Sequence, residues 1–351
     1  ASYTDQTLEL LAFSEEISNQ PTITEFTKVD LTGGQEIEGA KMQILDQDGK
    51  VVEEWVSKKE PHVVYALEPG EYVLHEEQAP TEQGYVRAED VKFVVEETGD
   101  VQKAKMEDDH TKVSISKTDI TDGKEIEGAK LQILDQDGEV VESWTTGEEH
   151  LIEYLPVGTY TLHEEAAVDG YIVANDVEFT VEETGEIQKV KMEDERAMGQ
   201  LVIVKTDTDS KAALEGVEFV LLEKETGKEV GRLKTGKDGK AVSELLPIGT
   251  YENGVFKEPI TYVLKETATL KGYEKTEEEW EIVFTYQNDK TPVIEVVKEI
   301  QNKKIPETPG TVKPGPKTGD DTNWFLPLLA LGVSAGMVAG LLYYRKRHKK
   351  A

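Results

Sequence analysis

The segment "QEIEGAKMQILDQDG" at residues 35–49 returns as "KEIEGAKLQILDQDG" at 124–138, a shift of 89 positions. Trp55 and Trp144 keep that shift, whereas "VEETGD" at 95 and "VEETGE" at 181 lie 86 apart, so a few residues are lost between them. A looser third copy begins at "LVIVKTD" (201–207) and runs on through "ALEGVEFVLLEKETGKEV". A period near 90 residues is too long for a solenoid and suits tandem, independently folding domains.

Inside each copy the pattern is that of strands. In "AKMQILD", Ala40, Met42 and Ile44 alternate with Lys41, Gln43 and Leu45, and the following "DQDG" reads as a hairpin turn because Asp-Gly tolerates positive φ. "EPGEYVLHEE", "PVGTYTLHEE" and "TYVLKETA" are further strands bounded by Pro and Gly. No segment before residue 320 holds a helical period over three turns, so the expected fold is all-β, a tandem of β-sandwiches. Expected boundaries are a remnant of a preceding β domain at 1–20 and domains at 21–110, 111–196 and 197–305. After these come a Pro/Gly linker at 306–323, an apolar transmembrane helix at 324–344 and a basic tail at 345–351.

The same alternation puts charge where a strand should be apolar. In "VSISKTD", Lys117 shares a face with Val113 and Ile115; in "YTLHEE", Glu164 follows Tyr160 and Leu162; in "VKMEDE", Asp194 follows Val190 and Met192. The first copy repeats this with Lys28 after Phe26, Glu76 after Tyr72 and Leu74, and Asp108 after Ala104 and Met106, strand parity favouring Asp108 over Asp109. The third has Lys205 after Leu201 and Ile203, Glu266 after Tyr262 and Leu264, and Asn302 after Ile300. Two readings follow. One is a buried ion pair, whose desolvation costs about as much as the attraction returns. The other uses burial, which favours the neutral amine and the protonated acid. The amine then attacks the acceptor carbonyl with the glutamate as proton shuttle, and water (ammonia from Asn302) leaves an isopeptide bond between first and last strands.

These modules resemble the SpaA-type, or Cna B-type, prealbumin-like domains of Gram-positive surface proteins and pilins. The resemblance rests on Lys-x-Asp in the first strand (Lys28–Asp30, Lys117–Asp119, Lys205–Asp207) and on Tyr-x-Leu-x-Glu with a later Gly-Tyr, as in "YVLHEEQAPTEQGY", "YTLHEEAAVDGY" and "YVLKETATLKGY". It implies a spontaneous isopeptide bond in each module. The implied catalytic glutamates are Glu76, Glu164 and Glu266, and the implied crosslinks Lys28–Asp108, Lys117–Asp194 and Lys205–Asn302. The third copy departs by inserting "ENGVFKEP" between "LPIGTY" and "TYVLKET".

The tail is similar to a sortase sorting signal. "GPKTG" (315–319) offers Pro316, Lys317, Thr318 and Gly319, with Gly315 in place of the family's Leu; the uncharged "WFLPLLALGVSAGMVAGLLYY" and basic "RKRHKK" follow. The implied partners are a sortase and peptidoglycan, with a membrane-inserted precursor and a final place in the cell wall. The reading is a wall-anchored stalk or adhesin rather than an enzyme; a minor or basal pilin, or a module gripping host extracellular matrix, is the alternative. Lys313, in the linker, is a poor polymerisation donor.

Composition removes other classes. The chain carries 71 acidic against 39 basic side chains, net −32, which argues against nucleic acid, and it has no cysteine for disulfides or thiolate metal sites. Asp46, Asp48, Asp135 and Asp137 imitate the start of a calcium loop, but the Gly comes early and no Glu closes it, so no metal and no cofactor is expected. His75 and His163 point away from the glutamate face, and no nucleophile–His–Asp set or phosphate loop recurs.

Overall fold

The computed structural model describes residues 20–307. Among these the regular structure is strands and a single 3-10 turn at Thr81–Gln83, arranged as three sandwich modules in line with the sequence repeats. The sorting motif, the apolar segment 324–344, the basic tail and residues 1–19 of the remnant lie outside the described residues.

Each module packs two sheets. In the first, Val51–Val56, Lys41–Leu45, Gly70–Gln78 and Val91–Val95 form one sheet, and His62–Tyr65, Ile23–Asp30 and Val101–Asp108 the other. The second module repeats the four-stranded sheet with Val140–Thr145, Lys130–Leu134, Gly158–Ala166 and Val177–Val181, the third with Glu229–Lys234, Glu218–Glu223, Thr261–Ala268 and Glu279–Val283. The alternating apolar residues meet between the sheets: Phe26, Met42, Ile44, Leu74 and Met106 in the first module, and Ile115, Leu131, Ile133, Leu162 and Met192 in the second. In the third they are Ile203, Phe219, Leu221, Leu264 and Ile300. Each such side chain, fully buried, contributes roughly 1.5–3 kcal/mol.

One topological feature positions everything that follows. The opening strand of every module pairs in parallel with its closing strand: Ile23–Asp30 with Val101–Asp108, Lys112–Asp119 with Ile187–Arg196, and Met198–Asp207 with Val293–Asn302. The register sets Lys28 opposite Met106, Lys117 opposite Met192 and Lys205 opposite Ile300. In a strand the next residue on the same face is two further on, so each lysine is adjacent to Asp108, Asp194 or Asn302.

The repeated Glu-Gly-Ala/Val segment closes one corner of each sandwich. Gly39, Gly128 and Gly216 adopt φ of +101°, +99° and +87°, where a side chain would be strained, and the next amide is capped by a hydroxyl. Ala40 N donates to Ser57 Oγ, Ala129 N to Thr146 Oγ1 and Val217 N to Thr235 Oγ1, at 2.9, 3.0 and 3.0 Å.

The inserted "ENGVFKEP" forms a hairpin, Gly249–Glu252 with Val255–Pro259, that lies against the second module. Tyr251 Oη donates to Gly170 O at 2.8 Å, and the hairpin tip approaches so closely that a Cβ on Gly254 would sit 2.2 Å from Glu125 O. Arg196, between the modules, lies 4.1 Å over the Tyr251 ring and donates through Nε to Asp119 Oδ2 at 2.5 Å. The joint between modules one and two has no such hairpin. There Tyr154, itself at φ +61°, donates to Asp30 Oδ2 at 2.8 Å and stacks on His110 at 3.9 Å. The Gly254→Val variant is expected to lift the hairpin. Hydrogen exchange at the Ala197 amide, which donates to Gly170 O, should then speed up by about tenfold, a local loss of about 1.4 kcal/mol, while the amides of both cores stay protected.

Candidate functional site: three buried lysine clusters

The structure brings together the three groups of each cluster. Lys28, Lys117 and Lys205 are only 4%, 2% and 0% exposed, and the carboxyl and carboxamide groups around them are equally enclosed. Lys28 Nζ touches Asp108 Oδ1 and lies 2.9 Å from Glu76 Oε2; Lys117 Nζ touches Asp194 Oδ1 and lies 2.9 Å from Glu164 Oε2. Lys205 Nζ touches Asn302 Oδ1, with Glu266 Oε2 at 3.4 Å. Asp109, the neighbour set aside by parity, instead pairs with Lys112 at 2.6 Å near the surface.

The glutamates are held by groups that side-chain patterns do not reveal. Ala88 N donates to Glu76 Oε2 at 2.7 Å and Ala174 N to Glu164 Oε2 at 2.6 Å, so a loop amide fixes one oxygen facing the lysine. The other oxygens, Glu76 Oε1 and Glu164 Oε1, are buried without a partner, as are Asp108 Oδ2 and Asp194 Oδ2. In the third module Asn302 Nδ2 donates to Glu266 Oε1 and to Thr269 Oγ1, both at 2.7 Å.

Charge decides what such a site can hold. One ammonium with two carboxylates leaves an unmatched negative charge where water is excluded, an arrangement that burial strongly disfavours. Burial accordingly pushes Asp108 up to about 7 against the pull of Lys28, with Glu76 adding to the rise, and Asp194 likewise up to about 7 beside Lys117 and Glu164. Burial also pulls the Lys205 amine below its ordinary value, with Glu266 opposing. A proton shared between the two acids of a cluster fits their orphaned oxygens. The arrangement thus places an amine, a carbonyl carbon and a further carboxyl within contact distance, the three groups that amide formation calls on.

The aspartate of Lys-x-Asp has a different role from its lysine. Asp119 accepts from Tyr171 Oη at 2.8 Å, from Arg196 and from Thr121 N; these bonds outweigh the desolvation of the carboxyl and hold it below the usual range. In the first module Asp30 Oδ2 accepts instead from Tyr154 Oη of the second module at 2.8 Å, and in the third Asp207 Oδ1 accepts from Ser210 N and Oγ at 2.7 and 2.8 Å. In the second module the Lys-x-Asp and Gly-Tyr motifs thus meet in one contact, a pairing that their separation in sequence conceals. The remaining sequence signals are ordinary surface features. His75 and His163 pair with Asp90 and Asp176, each at 2.7 Å on exposed faces, and Asp46 and Asp135 cap their own turns. Among the described residues no group of His, Asp and Glu is arranged to hold a metal ion.

Tandem two-sheet domains with parallel terminal strands define a prealbumin-like protein. The chain belongs to the SpaA family of prealbumin-like fold domains, whose profile matches residues 22–110, 111–196 and 199–259; the third match stops at the end of the inserted hairpin. Among solved structures it is similar to the Bacillus anthracis TIE protein, at 28% identity and a TM-score of 0.55 over 81% of this chain and 51% of that one. The present chain thus corresponds to about half the length of that structure. It also matches BcpA, the major pilin subunit of Bacillus cereus, at 16% identity and a TM-score of 0.46 over 82% of this chain and 100% of that one. A streptococcal ancillary pilin matches at 16% identity and a TM-score of 0.33 over 82% of this chain and 100% of that one. No curated protein matches the sequence.

The Tyr171–Asp119 contact is testable by itself. Tyr171→Phe keeps the ring but removes the donor to a buried carboxylate, and is expected to lower stability by about 1–3 kcal/mol, read from the urea midpoint of the second module.

Proposed function

We propose that the three clusters condense spontaneously to Lys28–Asp108, Lys117–Asp194 and Lys205–Asn302 isopeptide bonds. The modules so clamped form a tension-bearing stalk of a cell-wall-anchored surface protein. The observation that carries this reading is the pair of orphaned oxygens in each Lys–Glu–Asp cluster. As separate ions the three groups leave those oxygens buried and unpaired, which is costly. As an amide, Nζ keeps one hydrogen for Glu76 Oε2, and Glu76 Oε1 donates its proton to the carbonyl oxygen that remains. Every polar atom then has a partner and no net charge is buried.

The chemistry is a single turnover within one chain. The neutral amine attacks the Asp Cγ, the Nζ–Cγ bond forms, and one Cγ–O bond breaks. The glutamate takes a proton from Nζ and gives one to the departing oxygen, which leaves as water. The strand topology explains what the bond achieves. Tension applied at the two ends of a module reaches the parallel opening and closing strands, and a covalent bridge between them carries it past the hydrogen-bonded sheet. Loops of 80, 77 and 97 residues are closed in this way. By analogy with a disulfide each closure adds on the order of 4 kcal/mol by restricting the unfolded chain. The tail sequence supplies the anchor in this proposal, with sortase cleavage between Thr318 and Gly319 and transfer to peptidoglycan.

Pulling the chain from its two ends checks the stalk. The native protein should show no module extension, whereas Glu164→Ala should release its 77-residue loop, about 250 Å of extra length. Module extension in the native chain would contradict the reading. The clusters also predict opposite pH responses during refolding of uncrosslinked chain. Asp108 and Asp194, raised to about 7, become poorer acceptors as they ionise, so the two water losses should slow as pH rises through about 7. Asn302 does not ionise and the lowered Lys205 amine loses its proton more readily than an ordinary lysine, so the ammonia loss should quicken rather than slow as pH rises. Time-resolved intact mass at several pH values reads both.

A further inference from the structure

The three modules form an internal comparison set, and one residue changes together with the acceptor. Three positions after the cluster glutamate stand Ala79, Ala167 and Thr269. The glutamate strand carries the same register irregularity in all three modules, between Gln78 and Glu76, Ala166 and Glu164, and Ala268 and Glu266, so these positions are structurally equivalent. The modules with alanine use Asp108 and Asp194; the module with threonine uses Asn302. The hydroxyl of Thr269 lies 2.7 Å from Asn302 Nδ2.

A carboxyl group presents an oxygen to its surroundings either way round, but a carboxamide does not. In the orientation found, Nδ2 spends its two hydrogens on Glu266 Oε1 and Thr269 Oγ1, and Oδ1 faces Lys205 Nζ. Turned over, Nδ2 would oppose the lysine donors, and Oδ1 would oppose a carboxylate and have only the hydroxyl left to bond. We infer that Thr269 is a positioning residue specific to an amide acceptor: it holds the Asn302 carboxamide with its carbonyl toward the lysine and its leaving nitrogen toward the acid. This deepens the condensation reading and rests on it. In the step itself Lys205 Nζ bonds to Asn302 Cγ and the Cγ–Nδ2 bond breaks. Glu266 takes a proton from Nζ and delivers one to Nδ2, and ammonia leaves; Thr269 takes no part in the bond changes.

The test follows each module's mass loss in the full chain as it refolds, with crosslinked peptides assigning the losses. Thr269→Val should slow the ammonia loss by about tenfold, the value of one oriented hydrogen bond, and leave the two water losses unchanged. Thr269→Ser, which keeps the hydroxyl, should restore the native rate. Thr269→Val with Asn302→Asp should also condense at a normal rate, now losing water, because a carboxyl needs no orienting. The converse is built in the second module. Asp194→Asn alone should condense slowly beside Ala167, and adding Ala167→Thr should speed it by about tenfold. Native-rate ammonia loss in Thr269→Val, or no gain from Ala167→Thr, would overturn the assignment while the water losses of the unaltered modules still stand. Absence of all three losses in the native chain would instead overturn the condensation reading beneath it.

Discussion

An amine sealed between two sheets, beside two carboxyl groups in the first two modules and a carboxyl and a carboxamide in the third, is the constraint on which the rest of the structure depends. Lys28, Lys117 and Lys205 complete the apolar face of their strands, so none can move to water without dismantling a core. As permanent ion pairs they would weaken each sandwich or contribute little to it. The proposed condensation to amides would remove the charge problem altogether. Burial thus explains both why the residues are a liability and how the chemistry proposed here removes it.

Topology gives that chemistry a mechanical meaning. The strands that carry the lysine and its acceptor are the first and last of each module and run parallel, so the proposed bond between them would lie directly on the path between neighbouring modules. The short stretches between one module's lysine cluster and the next are where the joints form, and these are built differently. Tyr154 and His110 stack at the first joint, whereas at the second a hairpin from the third module sits on the second, with Arg196 shared between Asp119 and Tyr251. Each joint draws on the aspartate two residues after a buried cluster lysine, Asp30 at the first and Asp119 at the second, so cluster and joint share one strand end.

Much of this was legible in the sequence because side-chain alternation has a period of two and the pattern recurs three times. Lys117, Glu164 and Asp194 betray themselves as polar residues on apolar stripes, and strand parity separates Asp108 from its neighbour Asp109. Contacts made by backbone amides were not legible, because Ala88 and Ala174 carry no side-chain signature for the hydrogen bond they donate. Nor were contacts between modules. The "ENGVFKEP" insertion reads as an irregular loop until the structure shows Gly254 against Glu125 and Tyr251 against Gly170. The pairing of Asp119 with Tyr171 escaped for a related reason: 52 residues separate them, and neither motif specifies the other.

The most direct measurement is the intact mass of the purified chain beside Glu76→Ala, Glu164→Ala and Glu266→Ala variants. Two aspartate acceptors and one asparagine acceptor require a native mass lower than calculated by two waters and one ammonia, with one loss restored in each variant. A folded native chain at its full calculated mass would mean that the lysines remain ion pairs, and the covalent stalk would have to be abandoned.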